Sequence, residues 1–198
     1  MPAEAIDRGI ANFKEKVVPA AKATPGNVGQ VLLLDRKTGA GIGITLWETA
    51  QAMGASEQMG ITARTQSTAA TGGSIVNVER FEQVIADRTA PPQPGGFVRL
   101  NSMAGSPSKI DGSVKFIEKQ VLPVLRAQKG YRMLLMNVDR TTGRTTVSTV
   151  WDSLADLQAS ESKISSLRRD AADAAGASDV TVEIFESVFA DVKQPATA

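Results

Sequence analysis

The sequence predicts an α+β protein built from two copies of one unit of about 90 residues, and three observations support this. Sliding the chain along itself by about 104 positions, without a gap, places Trp47 on Trp151 and Pro19 on Pro123. Apolar residues alternate with a period of two in some segments and recur at helical spacing in others. Turn and breaker residues separate these segments in the same order in both copies.

The repeat sets the domain organisation. Roughly a third of about 80 aligned positions are identical, which is far above chance for an ungapped register. The matched segments include 35–39 with 139–143, 55–57 with 159–161, and 79–87 with 183–191. We therefore predict repeat 1 over residues 1–89, a Pro/Gly-rich linker over 90–96, repeat 2 over 97–192 and a tail over 193–198.

The elements of repeat 2 follow in the order strand, helix, strand, strand, helix, strand. Apolar residues at helical spacing from Ile110 to Leu125 predict the first helix, and Ser153 is a suitable N-cap for the second, which Gly176 ends. The strands are predicted over 97–103, 131–139, 144–151 and 179–190.

Two features recur in both repeats. Pro19 and Pro123 fall late in the first helix of each repeat and should loosen its last turns, because proline lacks an amide hydrogen. The sequence Asp-Arg-x-Thr-Gly, starting at Asp35 and Asp139, is typical of a short hairpin turn.

This order of elements is that of the ferredoxin-like unit, whose sheet carries helices on one face only. Two such repeats in one chain can cover each other's open faces, so we predict that they pack sheet to sheet as a closed α+β barrel. The first strand of repeat 1 would fall ahead of Met1, so this repeat lacks it. We expect that slot to be filled by upstream residues, by another chain or by the tail.

Composition excludes several classes of function. The net charge of +1 leaves no basic stripe, which argues against nucleic acid as a partner. Without an apolar run of about 20 residues or a leader, we expect a cytoplasmic protein with no membrane partner. The absence of Cys and His removes the commonest ligands of zinc and haem iron, so we expect no cofactor.

The candidate binding site follows from strand parity. In the third strand of repeat 1 the apolar residues Ile42, Ile44 and Leu46 should face the helices, which turns the alternate positions toward the barrel interior. This interior is predicted to hold a small hydrophobic or aromatic molecule. Its candidate ligand-binding residues are Trp47, Trp151, Gly41, Gly43, Phe81, Phe185, Asn77 and Arg99. The candidates for a catalytic role are Glu79 and Glu183.

Structural roles compete with this interpretation. Each Trp can serve as a packing anchor, and Glu79 and Glu183 can form ion pairs, for example with Arg99. Arg64 and Arg168, on the second helices, are expected to be solvated. Because repeat 1 has glycines at 41 and 43, we predict that any sizeable cavity lies beside Trp47 and not beside Trp151.

The local motifs also resemble a known family. Trp47-Glu48-Thr49 and Trp151-Asp152-Ser153, each opening a helix after an Asp-x-x-Thr-Gly hairpin, are similar to the antibiotic biosynthesis monooxygenase-like, dimeric α+β barrel superfamily in a tandem, fused form. The resemblance implies this fold for nearly the whole chain. It implies activity less firmly, because the superfamily contains cofactor-free oxygenases, haem-degrading enzymes and isomerases, and its haem-binding members commonly use His.

Three functions remain open at this point. The first is a small-molecule-binding barrel of unknown reaction. The second is a cofactor-independent monooxygenase acting on an electron-rich aromatic substrate, with Glu79 or Glu183 as the base. The third is a structural or stress-related module that self-associates through exposed strand edges, which would make it a homo-oligomer.

Overall fold

The computed structural model describes residues 1–90 and 94–193 and shows an α+β protein, as predicted. Seven strands are present in the described residues. They are β1 (Asn27–Asp35), β2 (Ala40–Trp47), β3 (Glu82–Arg88), β4 (Phe97–Ala104), β5 (Tyr131–Val138), β6 (Arg144–Trp151) and β7 (Val180–Val192). The first three belong to repeat 1 and the last four to repeat 2, so the described residues of repeat 1 contain no counterpart of β4, as expected.

The helices lie at the predicted places. They are α1 (Ile6–Asn12), α2 (Val18–Ala23), α3 (Ala50–Ala55), α4 (Glu57–Thr71), α5 (Ile110–Phe116), α6 (Leu122–Arg126), α7 (Leu154–Ala159) and α8 (Glu161–Ala175). Ser153 caps α7 by accepting the amide hydrogen of Asp156 at 3.1 Å, as its sequence position predicted. Residues 91–93 of the predicted linker and residues 194–198 of the predicted tail lie outside the described residues.

The prolines loosen the first helix of each repeat, as predicted. Between α1 and α2 the chain forms a π-helical turn over Phe13–Val17, and between α5 and α6 it forms one over Ile117–Val121. The amide of Val18 donates to the carbonyl of Phe13, five residues back. A proline near the start of the following segment cannot donate to the preceding turn, which accounts for the wider spacing.

Two compact units make up the chain, and they do not coincide with the repeats of the sequence. Unit 1 contains Met1–Val78 and the chain from Glu186 onward, and unit 2 contains Glu79–Phe185. In unit 1 the strand order is β2-β1-β7, and in unit 2 it is β7-β4-β6-β5-β3, with β7 running through both. Unit 2 therefore contains the last strand of repeat 1, and unit 1 contains the second half of the last strand of repeat 2.

The exchanged strands pair in antiparallel fashion. Strand β3, from repeat 1, pairs with β5, so that Ile85 lies opposite Met136. Strand β7, from repeat 2, pairs with β1, so that Phe189 lies opposite Leu32. How the two units pack together, and hence the closed barrel, stays a prediction.

Duplicated ion pairs fix each exchanged strand to its host. Near the start of β3, Glu82 pairs with Arg140 at 2.7 Å, and Glu186 pairs with Arg36 at 2.7 Å in the equivalent place. Near the strand ends, Asp87 pairs with Arg126, and Asp191 pairs with Lys22. Both repeats therefore share the ion pairs that attach the last strand of one repeat to the other, as well as the helices and strands themselves.

The fourth strand of repeat 1 begins later than the sequence predicts. The last strand of repeat 2 is predicted to begin at residue 179, which corresponds to residue 75 of repeat 1, but β3 starts only at Glu82. Val76 is 96% exposed and Val78 is 41% exposed. Their counterparts in repeat 2 lie in β7, which pairs with β4, whereas the described residues of repeat 1 contain no strand equivalent to β4.

Each unit has its own apolar core between strands and helices. The core of unit 1 is built around Phe13, Leu34 and Val188, and that of unit 2 around Leu134, Trp151 and Ile164. Side chains on β6 thus contribute to the helix-facing core of unit 2, which decides where a site can form.

Candidate functional site

A cavity of about 30 Å³ lies inside unit 2, between the sheet and the helices that cover it. Strands β4, β5 and β6 form its floor, and the π-helical turn Ile117–Val121, α6 and α8 form its roof. Most of the lining is aliphatic. Its apolar lining includes Met103, Ile117, Val121, Leu134, Val147 and Ile164.

This position corrects the predicted strand parity. Val147 and Thr149 line the cavity together with helix residues, so the odd-numbered side chains of β6 face the helices and not the sheet's open face. In repeat 1 the same holds for Gly43, since a Cβ there would lie 3.5 Å from the ring of helical Phe13. The alternation was identified correctly, but its two faces were assigned the wrong way round.

The polar end of the cavity is made by Asn101, Thr149 and Arg168. The Asn101 amide donates to the carbonyl of Val147 at 3.0 Å, while its buried Oδ1 has no partner among the described residues. The Nε of Arg168 is likewise buried and without a partner. Buried polar atoms in proteins nearly always form hydrogen bonds, so these two atoms indicate space for a polar group.

The remaining nitrogens of Arg168 are fixed by Glu161. Arg168 Nη1 and Nη2 donate to the two carboxylate oxygens of Glu161 at 2.9 and 2.7 Å. These bonds hold the pKa of Glu161 below its ordinary value, despite an opposing effect of burial. The sequence prediction that Arg168 is solvated is wrong, because its side chain is only 16% exposed.

Arg99 does not line the cavity but contacts Glu161, the partner of Arg168. It is 2% exposed and donates to the carbonyl of Leu157 at 2.7 Å and to the hydroxyl of Ser160 at 3.0 Å. It also pairs with Glu161 at 3.1 Å. Burial lowers the pKa of this guanidinium, and Glu161 partly offsets the effect. Arg99 thus ties β4 to the junction of α7 and α8.

The two tryptophans are equivalent in their hydrogen bonds but not in burial. Trp151 is fully buried, donates to the Thr149 hydroxyl at 2.9 Å, and meets Tyr131 edge to face at 5.7 Å. Trp47 is half-buried and donates to Thr45 at 3.1 Å. Trp151 therefore orients the Thr149 hydroxyl at the polar end of the cavity, whereas Trp47 orients Thr45 in unit 1.

The glycines of β2 leave space that neighbouring side chains use. A Cβ at Gly41 would lie 2.7 Å from Cδ2 of Leu34, and one at Gly43 would meet Phe13. The described cavity lies in unit 2, lined by Val147 and Thr149, contrary to the prediction that a void would open beside Trp47.

The other predicted site residues lie apart from the cavity. Glu79 forms an ion pair with Arg144, and not with Arg99, and Glu183 is exposed. Asn77 is exposed and Phe81 half-buried, while Phe185 is buried at 3% exposure. None of these five is among the residues that line the cavity. Their assignment to a ligand stays a prediction.

The sequence contained a signal for Arg168 that parity reasoning missed. Glu57 and Arg64 in α4 have the same seven-residue spacing as Glu161 and Arg168 in α8, and both pairs form ion pairs. Seven residues are two helical turns, so each pair lies on one helix face. The burial of Arg168 depends on the tertiary fold.

Within residues 1–90 and 94–193, no helix is both long and apolar enough to cross a membrane. The same residues contain no cluster of three or more His, Cys, Asp or Glu side chains suited to a metal ion.

Comparison with known proteins agrees with this fold. No family model matches the sequence. Structures similar to this one include an anthrone oxidase-like protein, with a TM-score of 0.68 at 10% identity over 96% of this chain and 90% of that one. Another is a Listeria monocytogenes ferredoxin fold protein related to antibiotic biosynthesis monooxygenases, with a TM-score of 0.52 at 10% identity over 86% of each chain.

At 10% identity the similarity concerns the fold. It confirms the predicted resemblance to the antibiotic biosynthesis monooxygenase-like proteins. Sequence similarity is higher to the uncharacterized protein Rv2558 of Mycobacterium tuberculosis (strain ATCC 25618 / H37Rv). The two chains are 30% identical over 191 residues, which are 96% of this chain and 80% of Rv2558. The chain therefore belongs to the same family as Rv2558 and has the ferredoxin-like fold of the antibiotic biosynthesis monooxygenase-like proteins.

Proposed function

We propose that the protein binds a small, mostly apolar molecule that carries a hydroxyl group, in the cavity of unit 2. One observation supports this above all: Asn101 Oδ1 and Arg168 Nε are buried, without partners among the described residues, on an otherwise aliphatic lining. A hydroxyl group can accept from Arg168 and donate to Asn101. Ligand sites commonly combine an apolar wall with a few such polar groups.

The size of the cavity limits what it holds without rearrangement. A volume of about 30 Å³ accommodates roughly two water molecules. A ring compound must therefore move the roof away from the sheet. The π-helical turn Ile117–Val121 lies in that roof, and such turns are frequent at functional sites.

The lining of the cavity supports a small-molecule-binding protein more than a cofactor-independent monooxygenase that uses Glu79 or Glu183 as its base. None of the described cavity-lining residues is a carboxylate, and Glu79 is engaged by Arg144. A base must come within hydrogen-bond distance of the proton that it removes. The names of the structural neighbours support a fold suited to small molecules, and the lining chemistry supports a ligand with a single polar group.

Phenol and benzene make a matched pair of probes, since they differ by one hydroxyl. Methyl resonances of Leu134, Val147 and Ile164, which line the cavity, should shift with either compound and saturate at lower phenol concentration. The variant Arg168→Met should weaken phenol binding about tenfold, since it removes a charged donor. The matched variant Arg64→Met, in repeat 1, should leave phenol binding unchanged.

Thermal unfolding curves of both variants will show whether each remains folded. If phenol and benzene bind equally well, or if neither shifts the cavity methyl groups, the proposal is wrong. A loss of phenol binding in Arg64→Met alone would place the site in unit 1 and would also contradict it.

A further inference from the structure

Three charged groups meet beside the polar end of the cavity, and their charges do not balance. Arg168 donates to both carboxylate oxygens of Glu161, at 2.9 and 2.7 Å. Nη2 of Arg99 lies 3.1 Å from Oε2 of the same carboxylate, the oxygen that Nη2 of Arg168 also contacts. Two guanidinium groups thus share one carboxylate, which leaves one positive charge without a counter-charge.

The charged groups on the surrounding elements do not supply that counter-charge. Among the described residues, Arg168 is the only charged one that lines the cavity. On the floor, Arg132 of β5 pairs with Asp152. Arg144 of β6 pairs with Glu79. The other charged side chains of α5, the π-helical turn, α6 and α8 are exposed: Asp111, Lys115, Glu118, Lys119, Arg126, Lys163, Arg169, Asp170 and Asp173.

The electrostatic effects on Arg99 agree with an excess of positive charge. Burial lowers the pKa of its guanidinium, Glu161 raises this pKa, and the like charge of Arg168 lowers it. On α7, Asp156 pairs with Lys129 at 3.7 Å. A negative charge placed beside Arg168 is therefore stabilised, because it offsets the repulsion between the two guanidinium groups.

The two buried polar atoms without partners define what else the ligand must present. The Asn101 amide nitrogen donates to the carbonyl of Val147, so Asn101 Oδ1 can only accept. Arg168 Nε can only donate. A ligand that satisfies both atoms offers an acceptor and a donor at adjacent positions. The positive charge favours an ionised acceptor, since charge-assisted hydrogen bonds are roughly twice as strong as neutral ones.

We propose that the polar end of the cavity binds an ionised oxygen with a hydrogen-bond donor beside it, as in the monoanion of an aromatic ring with two adjacent hydroxyl groups. This ligand class rests on the proposed function. The ionised oxygen accepts from Arg168 Nε, and its neighbour keeps its proton and donates to Asn101 Oδ1. The proton that the ligand loses passes to the solvent. Arg99 does not touch the ligand. It acts as a positioning residue that shares Glu161 with Arg168 and so sets the charge preference.

The compound 4-nitrocatechol is a suitable probe, because its visible absorption distinguishes the neutral form from the monoanion. Binding should lower its first pKa by about one unit or more, so that the monoanion binds about tenfold tighter than the neutral form. The control compound 2-methoxy-4-nitrophenol has the same ionising hydroxyl but a methoxy group in place of the other. It should bind about tenfold more weakly, because it has no donor for Asn101 Oδ1.

Two variants that break the same ion pair should shift the ligand's pKa in opposite directions. Glu161→Gln removes the shared negative charge and should lower the pKa of bound 4-nitrocatechol further. Arg99→Met removes a positive charge and should raise that pKa toward the value in free solution. A purely structural role of the pair would change affinity in both variants without this reversal of sign. The matched variant Glu57→Gln, in repeat 1, should leave the pKa of the bound compound unchanged.

Thermal unfolding checks that the variants are folded. The Glu161 side chain is 46% exposed, so Glu161→Gln provides the test even if Arg99→Met does not fold. The inference is wrong if bound 4-nitrocatechol keeps or raises its pKa, if the methoxy compound binds equally well, or if Glu161→Gln raises the pKa of the bound ligand. Phenol that still binds more tightly than benzene in these cases would leave the proposed function standing. Failure of phenol and 4-nitrocatechol alike would overturn both.

Discussion

At the scale of single residues, one contact between helix and strand is made by side chains of different size in the two repeats. Phe13 lies over Gly43 in unit 1, and the counterparts of these residues, Ile117 and Val147, both line the cavity of unit 2. A large ring over a glycine replaces two branched side chains of middle size. The glycine that the sequence suggested as room for a ligand is thus part of the core packing in unit 1.

We expect positions 13 and 43 to be energetically coupled. Gly43→Val adds methyl groups against the Phe13 ring, and overpacking of this kind costs about 1–3 kcal/mol. The double variant Phe13→Ile with Gly43→Val restores the pair found in repeat 2, so its destabilisation should fall short of the sum by about 0.5–3 kcal/mol. Urea unfolding of the four proteins measures this coupling, and strictly additive changes would contradict it.

At the scale of elements, the exchange of last strands is the main organising feature. Asp87 near the end of β3 accepts hydrogen bonds from Arg126 and from the hydroxyl of Tyr131 at 2.7 Å. Its counterpart Asp191 pairs with Lys22 at 2.5 Å, and both of these side chains are about half exposed. The side chain of Asp87 is only 10% exposed and accepts from two donors, so we expect the attachment of β3 to be the stronger.

Asp87→Asn should therefore destabilise the protein by about 1–3 kcal/mol near neutral pH, and Asp191→Asn by less than about 1 kcal/mol. The Arg126 bond lowers the pKa of Asp87 below its ordinary value of 3.8. The stabilisation is thus complete above that value and is lost as pH falls through the lower folded pKa. Chemical unfolding between pH 7 and pH 3 should show the unfolding free energies of the unaltered protein and of Asp87→Asn converging in acid. A difference that stays constant with pH would show that the Asp87 carboxylate is not its cause.

At the scale of the whole chain, the two units differ in how much core they have. In α8 the buried residues are Ile164, Ala171, Ala172 and Ala175, whereas in α4 the described buried residue is Thr71. Among the described residues, β2 stands at the end of the strand order, whereas β6 lies between β4 and β5. Less apolar area is therefore removed from water in unit 1, and fewer backbone bonds hold its edge strand.

Hydrogen exchange should reveal this difference directly. Amides of β2 are expected to exchange at least about tenfold faster than those of β6 in the native state, because opening β2 breaks pairing on one side only. Peptide-resolved mass spectrometry separates the two strands, since their sequences differ. Equal protection of Ala40–Trp47 and Arg144–Trp151 would show that the two units open together.

The sequence by itself determined the duplicated α+β plan, because periodicity, turn residues and an ungapped repeat are local signals. It located nearly every described element and the loosened helices at Pro19 and Pro123. Only the tertiary structure decided which face of β6 is covered, because alternation is symmetric and the covering helix comes from elsewhere in the chain. The burial of Arg168, the open Oδ1 of Asn101 and the exchange of the last strands are long-range contacts, and no local pattern specifies them.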